Sequence, residues 1–106
     1  MFKDCRVLQY IYIPNTVREY GAKCFSYCGD LKGSILENGN KVEELIIPSG
    51  VKKIGNNAFE MCGQLEKVVF PEDTMDSLGD YVFKDCIHLR EVQMPTKITT
   101  CGKNIF

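Results

Sequence analysis

Residues 46–62 read IIPSGVKKIGNNAFEMC, and the order of residue types in this stretch returns along the whole chain. Each of the four prolines follows two apolar residues that lie two positions apart, at Pro14, Pro48, Pro71 and Pro95. A glycine comes next, and four residues after each glycine stands a phenylalanine, at Phe25, Phe59, Phe83 and Phe106, with Phe2 in the same place one unit earlier. Because every proline falls in phase with the phenylalanines, we interpret the pattern as an internal repeat.

The spacing of the phenylalanines sets the length of the repeat. From Phe2 onward they are 23, 34, 24 and 23 residues apart, so the basic unit has 23 residues. The long unit carries 11 additional residues between Leu31 and Val42, which places an insertion at residues 32–41. We therefore predict one domain, residues 1–106, that is a single array of about four units. Neither end has a polar capping unit, and we expect the chain to be a fragment of a longer array.

Each unit predicts two short strands joined by turns. In the pattern L-x-x-I-x-I-P the last apolar residues alternate with the period of a strand, and proline ends the strand because it has no N–H for the ladder. A second run, V-x-x-I, ends at a glycine that indicates either a positive φ or a close approach of backbones. The segment from this glycine to the next cysteine fits one helical or 3₁₀ turn. Stacked units would bury like residues in columns. The columns are Leu8/Val42/Leu65/Leu89, Ile11/Leu45/Val68/Val92, Ile13/Ile47/Phe70/Met94, Val17/Val51/Met75/Ile98 and the five phenylalanines named above.

The full motif, F-x-x-C-x-x-L-x-x-I-x-I-P-x-x-V-x-x-I-G-x-x-x-F, resembles the BspA-type leucine-rich repeat, also called the Treponema pallidum type. Residues 46–62 carry the best match, and the resemblance covers the chain apart from residues 32–41. It implies an α/β protein, a right-handed leucine-rich repeat solenoid with short parallel strands on a concave and a convex face and short helical or 3₁₀ turns between them. Family members are often exported surface proteins of bacteria and some protists that act in adhesion. The resemblance alone therefore favours a cell-surface or secreted location.

Composition and motifs exclude several classes of function. Lys and Arg number 13 against 14 Asp and Glu, a net charge of −1 that does not provide the clustered basic surface of a nucleic-acid binder. No apolar run approaches the roughly 18–20 residues of a membrane span. The chain has no phosphate-binding glycine loop and no H-E-x-x-H motif, and acidic pairs such as Glu43 and Glu44 are typical of a solvated surface. We therefore predict neither an enzyme nor a cofactor.

The cysteines follow the repeat as well. Cys5, Cys28, Cys62 and Cys86 share one position, while Cys24 and Cys101 take the places of core residues in other units. We interpret all six as compact buried apolar residues. A disulfide between stacked Cys62 and Cys86 is an alternative, but parallel Cβ vectors disfavour it. A zinc site at Cys24 and Cys28 lacks a second ligand pair. His88 beside Cys86 lacks an orienting third group and is interpreted as a solvated loop residue.

The residues between the apolar strand positions face solvent and form the predicted binding surface. One column is Tyr12, Ile46, Val69 and Gln93, and its neighbour is Tyr10, Glu44, Lys67 and Glu91. The first column is unusually apolar for an exposed surface, which favours an interaction site, although strand propensity alone also accounts for Ile46 and Val69. In the second column Lys67 lies between two acids, which predicts a cross-strand charge ladder. The insertion is expected to be irregular, with a turn at Asn38–Gly39 and with Ile35 and Leu36 as additional contact residues.

Two functions are consistent with this pattern. The first is a non-catalytic module that binds a protein ligand through its concave face and its insertion. The second is a structural spacer whose open solenoid ends stack into homo-oligomers, because uncovered strand edges promote pairing.

Overall fold

A computed structural model describes residues 7–72 and 74–106, and it is a β-solenoid of about four turns. Phe2 and Cys5, which the repeat places in two of its columns, lie outside the described residues. The strands are β1 Tyr10–Ile11, β2 Glu19–Tyr20, β3 Gly33–Ile35, β4 Lys41–Val42, β5 Leu45–Ile46, β6 Lys53–Ile54, β7 Lys67–Val69, β8 Thr74–Leu78, β9 Glu91–Gln93 and β10 Lys97–Cys101.

Parallel ladders form on both faces of the solenoid, as the repeat predicts. On the concave face β5, β7 and β9 pair in register, with Leu45 beside Val68 and Val68 beside Val92. On the convex face the order is β10, β8, β6, β2, and each of these strands is parallel to its neighbour. The short strands stay in register because each residue meets its counterpart from the next unit.

The core is built from the predicted columns. Rings of Phe25 and Phe59 stack at 5.3 Å, those of Phe59 and Phe83 at 5.6 Å, and those of Phe83 and Phe106 at 5.8 Å. The backbone follows the same repeat, since Phe25 N–H donates to Ala58 O, and Phe59 N–H donates to Val82 O. The stack of phenylalanines from Phe25 to Phe106 is therefore confirmed.

The segments between glycine and cysteine are not helical. No helix occurs in residues 7–72 and 74–106; successive turns with i to i+3 hydrogen bonds take its place, such as Ser26 N–H to Lys23 O. Two residues of each such segment have a positive φ, which breaks helical continuity. They are Lys23, Asn57, Tyr81 and Asn104 at the first position and Tyr27, Met61 and Asp85 at the second. The helical turns are thus not confirmed, and the right-handed winding stays a prediction.

The repeat glycines serve close backbone approach. A Cβ on Gly55 would lie 2.5 Å from Ala22 N, and one on Gly79 would lie 2.6 Å from Asn56 N. Real Cβ atoms do not come so near to backbone, so the preceding coil excludes a side chain here. Of the two roles that the sequence left open for this glycine, the structure selects contact between coils.

The insertion is a β-hairpin, and its expected irregularity is wrong. β3 pairs in parallel with β1 and antiparallel with β4. The predicted turn is confirmed, because Gly39 has a φ of 88° and Leu36 N–H donates to Asn40 O at 2.8 Å. The first column also needs correction. Leu31 is fully buried and is followed by N–H groups of Lys32 and Gly33 that donate to Gln9 O, whereas Val42 lies in the hairpin and is only half-buried.

The described cysteines are free thiols. Cys28, Cys62 and Cys86 are buried, and the thiols of Cys62 and Cys86 donate to the carbonyls of Phe25 and Phe59 in the preceding coil. The neighbouring thiol of Cys86 together with burial raises the pKa of Cys62, so this thiol stays protonated. The prediction of a buried residue is wrong for Cys101, which is exposed because β10 is the outermost strand of its sheet.

Candidate functional site

The hairpin interrupts the concave sheet between the first and second coils. β1 pairs with β3 and not with β5, although on the convex face β2 pairs directly with β6. The connection to β5 is a side-chain bond, in which the buried Ser34 hydroxyl accepts from Ile46 N–H at 2.9 Å. The chain also crosses directly over Gly33, since a Cβ there would meet Val42 O. Tyr10 therefore lies beside Gly33, and its predicted adjacency to Glu44 is wrong.

A groove of about 150 Å³ opens where the two sheets separate. Four of the predicted contact residues meet there, namely Tyr12, Ile35, Leu36 and Ile46. Tyr12 is 50% exposed, and the other three are half-buried. The groove is completed by Ile13, Pro48, Asn15, Ser34 and Glu37.

Sequence reasoning missed these last five residues because it treated residues 32–41 as an interruption. Leu31 lies 23 residues after Leu8, one repeat length, and this signal would have identified residues 31–36 as the continuation of the repeat. With that phase, Ser34 takes the place of Ile11, as its pairing with Ile11 shows. A half-repeat followed by a hairpin would then have indicated a split sheet.

Tyr10 is engaged within the chain. Its hydroxyl donates to the Glu43 carboxylate, and the ammonium groups of Lys32 and Lys41 lie 5.8 and 5.3 Å from the centre of its ring. The hydrogen bond to Glu43 raises the pKa of Tyr10, with smaller contributions from desolvation and the carboxylate charge. These contacts hold the hairpin against β1, so Tyr10 positions the groove and does not line it.

The remaining predicted residues form a separate charged column. Lys67 Nζ lies 3.3 Å from carboxylate oxygens of both Glu44 and Glu91, which confirms the charge ladder and raises the pKa of Lys67. Exposed ion pairs of this kind add little stability. Val69 pairs with Ile46 on one side and with exposed Gln93 on the other, so it continues the apolar surface one strand beyond the groove.

The described residues offer no catalytic constellation. No three His, Cys, Asp or Glu side chains among them are placed to hold a metal ion. His88 is exposed, as expected, and its Nδ1 bonds Gly63 O at 2.6 Å; a carbonyl only accepts, so Nδ1 carries the proton. The Cys86 thiol donates to a different carbonyl, that of Phe59, and the two side chains do not form a nucleophile and base. In the part of the chain that the structure describes, no helix could cross a membrane.

Comparison with known proteins identifies the family. A family model described as "BspA type Leucine rich repeat region (6 copies)" matches residues 1–41 and 31–106. The chain therefore belongs to the BspA-type leucine-rich repeat family. The two matched stretches overlap at residues 31–41, where the half-repeat and the hairpin lie.

Among solved structures, a leucine-rich repeat protein from Bacteroides ovatus is similar to this chain at 26% identity with a TM-score of 0.44. The alignment covers 95% of this chain and 35% of that protein, so the chain spans about a third of that relative's length. No curated protein matches the chain.

Proposed function

We propose that this chain is a non-catalytic protein-binding module whose contact surface is the groove at the hairpin together with Val69 on the neighbouring strand. The repeat family supports a module for protein interaction. The observation that carries the proposal is the meeting of Tyr12, Ile35, Leu36 and Ile46 around one cavity on the concave face. Exposed apolar surface with an accessible tyrosine is typical of interaction sites.

The proposed partner is a protein ligand. The groove lies beside the charged column of Glu44, Lys67 and Glu91, and exposed charges around an apolar centre favour specificity over affinity. We propose that the parent protein uses this module in adhesion at the cell surface or after secretion, on the basis of its family. Protease treatment of intact cells, which removes surface protein and spares internal protein, tests this location.

Paired charge substitutions test the binding surface. Tyr12→Asp with Ile46→Asp places two carboxylates in the groove, while Thr99→Asp with Thr100→Asp places two on exposed positions of the convex strand β10. Proteins captured from an extract of the source organism would be purified and their affinity measured by biolayer interferometry. We expect the groove variant to bind about tenfold more weakly or worse, and the convex variant to bind like the unmodified chain. Equal affinity of the two variants would refute the proposal.

Self-association is a second candidate, supported by the face beyond β9 and β10. Ile87 and Phe106 are 78% and 61% exposed there, beside a hollow of about 470 Å³ lined in part by Val92 and Met94. Sedimentation velocity between about 5 and 500 μM would report concentration-dependent mass, and Phe106→Asp should abolish it. A constant monomer mass across this range argues against the spacer role.

A further inference from the structure

The ladder of backbone hydrogen bonds between coils is open at one position beside the groove. Ile47 N–H donates to Val69 O and Phe70 N–H donates to Gln93 O, both at 2.8 Å. Ile13 holds the same place in the first coil, but its N–H donates to no carbonyl within residues 7–72 and 74–106. By the symmetry of the repeat this N–H faces the second coil, where the groove lies. A free donor on a strand edge is what an extended peptide backbone pairs with.

The size of the groove decides what fits beside this donor. Sites for whole small molecules have volumes of about 300–1,000 Å³, whereas this groove has about 150 Å³. An apolar cavity of about 150 Å³ is large enough to hold a benzene ring. Tyr12, Ile35, Ile46 and Pro48 form its apolar walls. The groove therefore suits one aliphatic or phenyl side chain that belongs to a larger partner.

The charge at the rim selects the neighbouring residue. Glu37 carries the only formal charge among the residues that line the groove, and it is exposed. Lys41, the cation that faces Ile35 across the hairpin, lies over the Tyr10 ring. A lysine or arginine of the partner would meet the Glu37 carboxylate, whereas an acid there would be repelled.

Resting on the function proposed above, we propose that the groove binds an extended peptide segment in which a leucine- or phenylalanine-sized side chain stands next to a basic residue. The apolar side chain fills the cavity between Tyr12 and Ile46. A backbone carbonyl of the segment accepts from Ile13 N–H, and the basic side chain pairs with Glu37. The hairpin thus converts a break in the sheet into a peptide-recognition site.

Nuclear magnetic resonance titration tests this proposal with three dipeptide probes: N-acetyl-Phe-Arg-amide, N-acetyl-Phe-Glu-amide and N-acetyl-Ala-Arg-amide. The Phe-Arg probe should shift the amide signals of Ile13, Ile35 and Ile46 in a saturable way. The Phe-Glu probe should bind about two- to fivefold more weakly, the range expected for an exposed ion pair. The Ala-Arg probe should bind about tenfold more weakly or worse, because it buries no phenyl ring.

Glu37→Lys is the variant of choice, because residue 37 is exposed and the change leaves the apolar walls intact. It should reverse the preference, so that Phe-Glu binds more tightly than Phe-Arg. Absence of a saturable shift at Ile13, or equal affinity of the two phenylalanine probes, would overturn the proposal. If the probes fail while the Tyr12 and Ile46 variant still loses a captured protein, the peptide proposal is wrong and the proposed function stands. If the probes bind as described while capture is insensitive to that variant, the proposed function is wrong and the peptide site stands.

Discussion

Phe59→Ala is the sharpest test of the stacked core. Phe59 is fully buried, and its ring lies between those of Phe25 and Phe83 at 5.3 and 5.6 Å, with Tyr20 edge-on at 5.7 Å. Truncation of such a side chain costs about 3–5 kcal/mol. A small domain has a total unfolding free energy of about 5–15 kcal/mol, so the loss would be a large part of it.

The terminal phenylalanine of the same column provides the matched control. Phe106 is 61% exposed and stacks only on Phe83 among the described rings. Phe106→Ala should therefore cost about 1 kcal/mol, the value of one aromatic pair. Urea unfolding followed by circular dichroism would measure both variants, and Phe59→Leu, which keeps most of the apolar volume, should fall between them if Phe59→Ala fails to fold. A difference of less than about 1 kcal/mol between Phe59 and Phe106 variants would refute the reasoning that burial within the column decides the cost.

Three further predictions concern the hairpin, a buried tyrosine and the thiols. Ser34→Ala should lower the unfolding free energy by about 1–3 kcal/mol in urea, because Ile46 N–H loses its acceptor; an unchanged midpoint would mean that the hairpin is held by other contacts. Burial raises the pKa of Tyr20 above its ordinary 10.0, so unfolded tyrosine ionises first and stability should fall as pH rises above 10.0; Tyr20→Phe should reduce that fall, as urea midpoints between neutral and alkaline pH would report. Iodoacetamide should modify exposed Cys101 in the folded protein and reach fully buried Cys62 only after unfolding, and peptide mass mapping that finds equal rates would contradict their burial.

The sequence alone was sufficient for the repeating part of this molecule. Proline, glycine and phenylalanine each return in phase, and the chain has few ways to satisfy that pattern except by stacking like on like. The ladder of Phe25, Phe59 and Phe83, the parallel strands on both faces and the charge ladder at Lys67 all follow from local spacing. The turns after the glycines were harder to predict, because positive φ at residues such as Asn57 and Met61 has no unambiguous signal in residue type.

The candidate site depended on the tertiary structure. Tyr12, Ile35 and Ile46 were each suspected from the sequence, yet their meeting in one groove required the hairpin to pair with β1 and to displace β5 from it. That choice rests on single non-repeating contacts, such as the Ser34 hydroxyl at Ile46 N–H and the passage of the chain over Gly33. A repeat predicts what is the same in every coil, because identical neighbours impose identical geometry. A site arises where one coil differs, and there only the competition among contacts in three dimensions selects the arrangement.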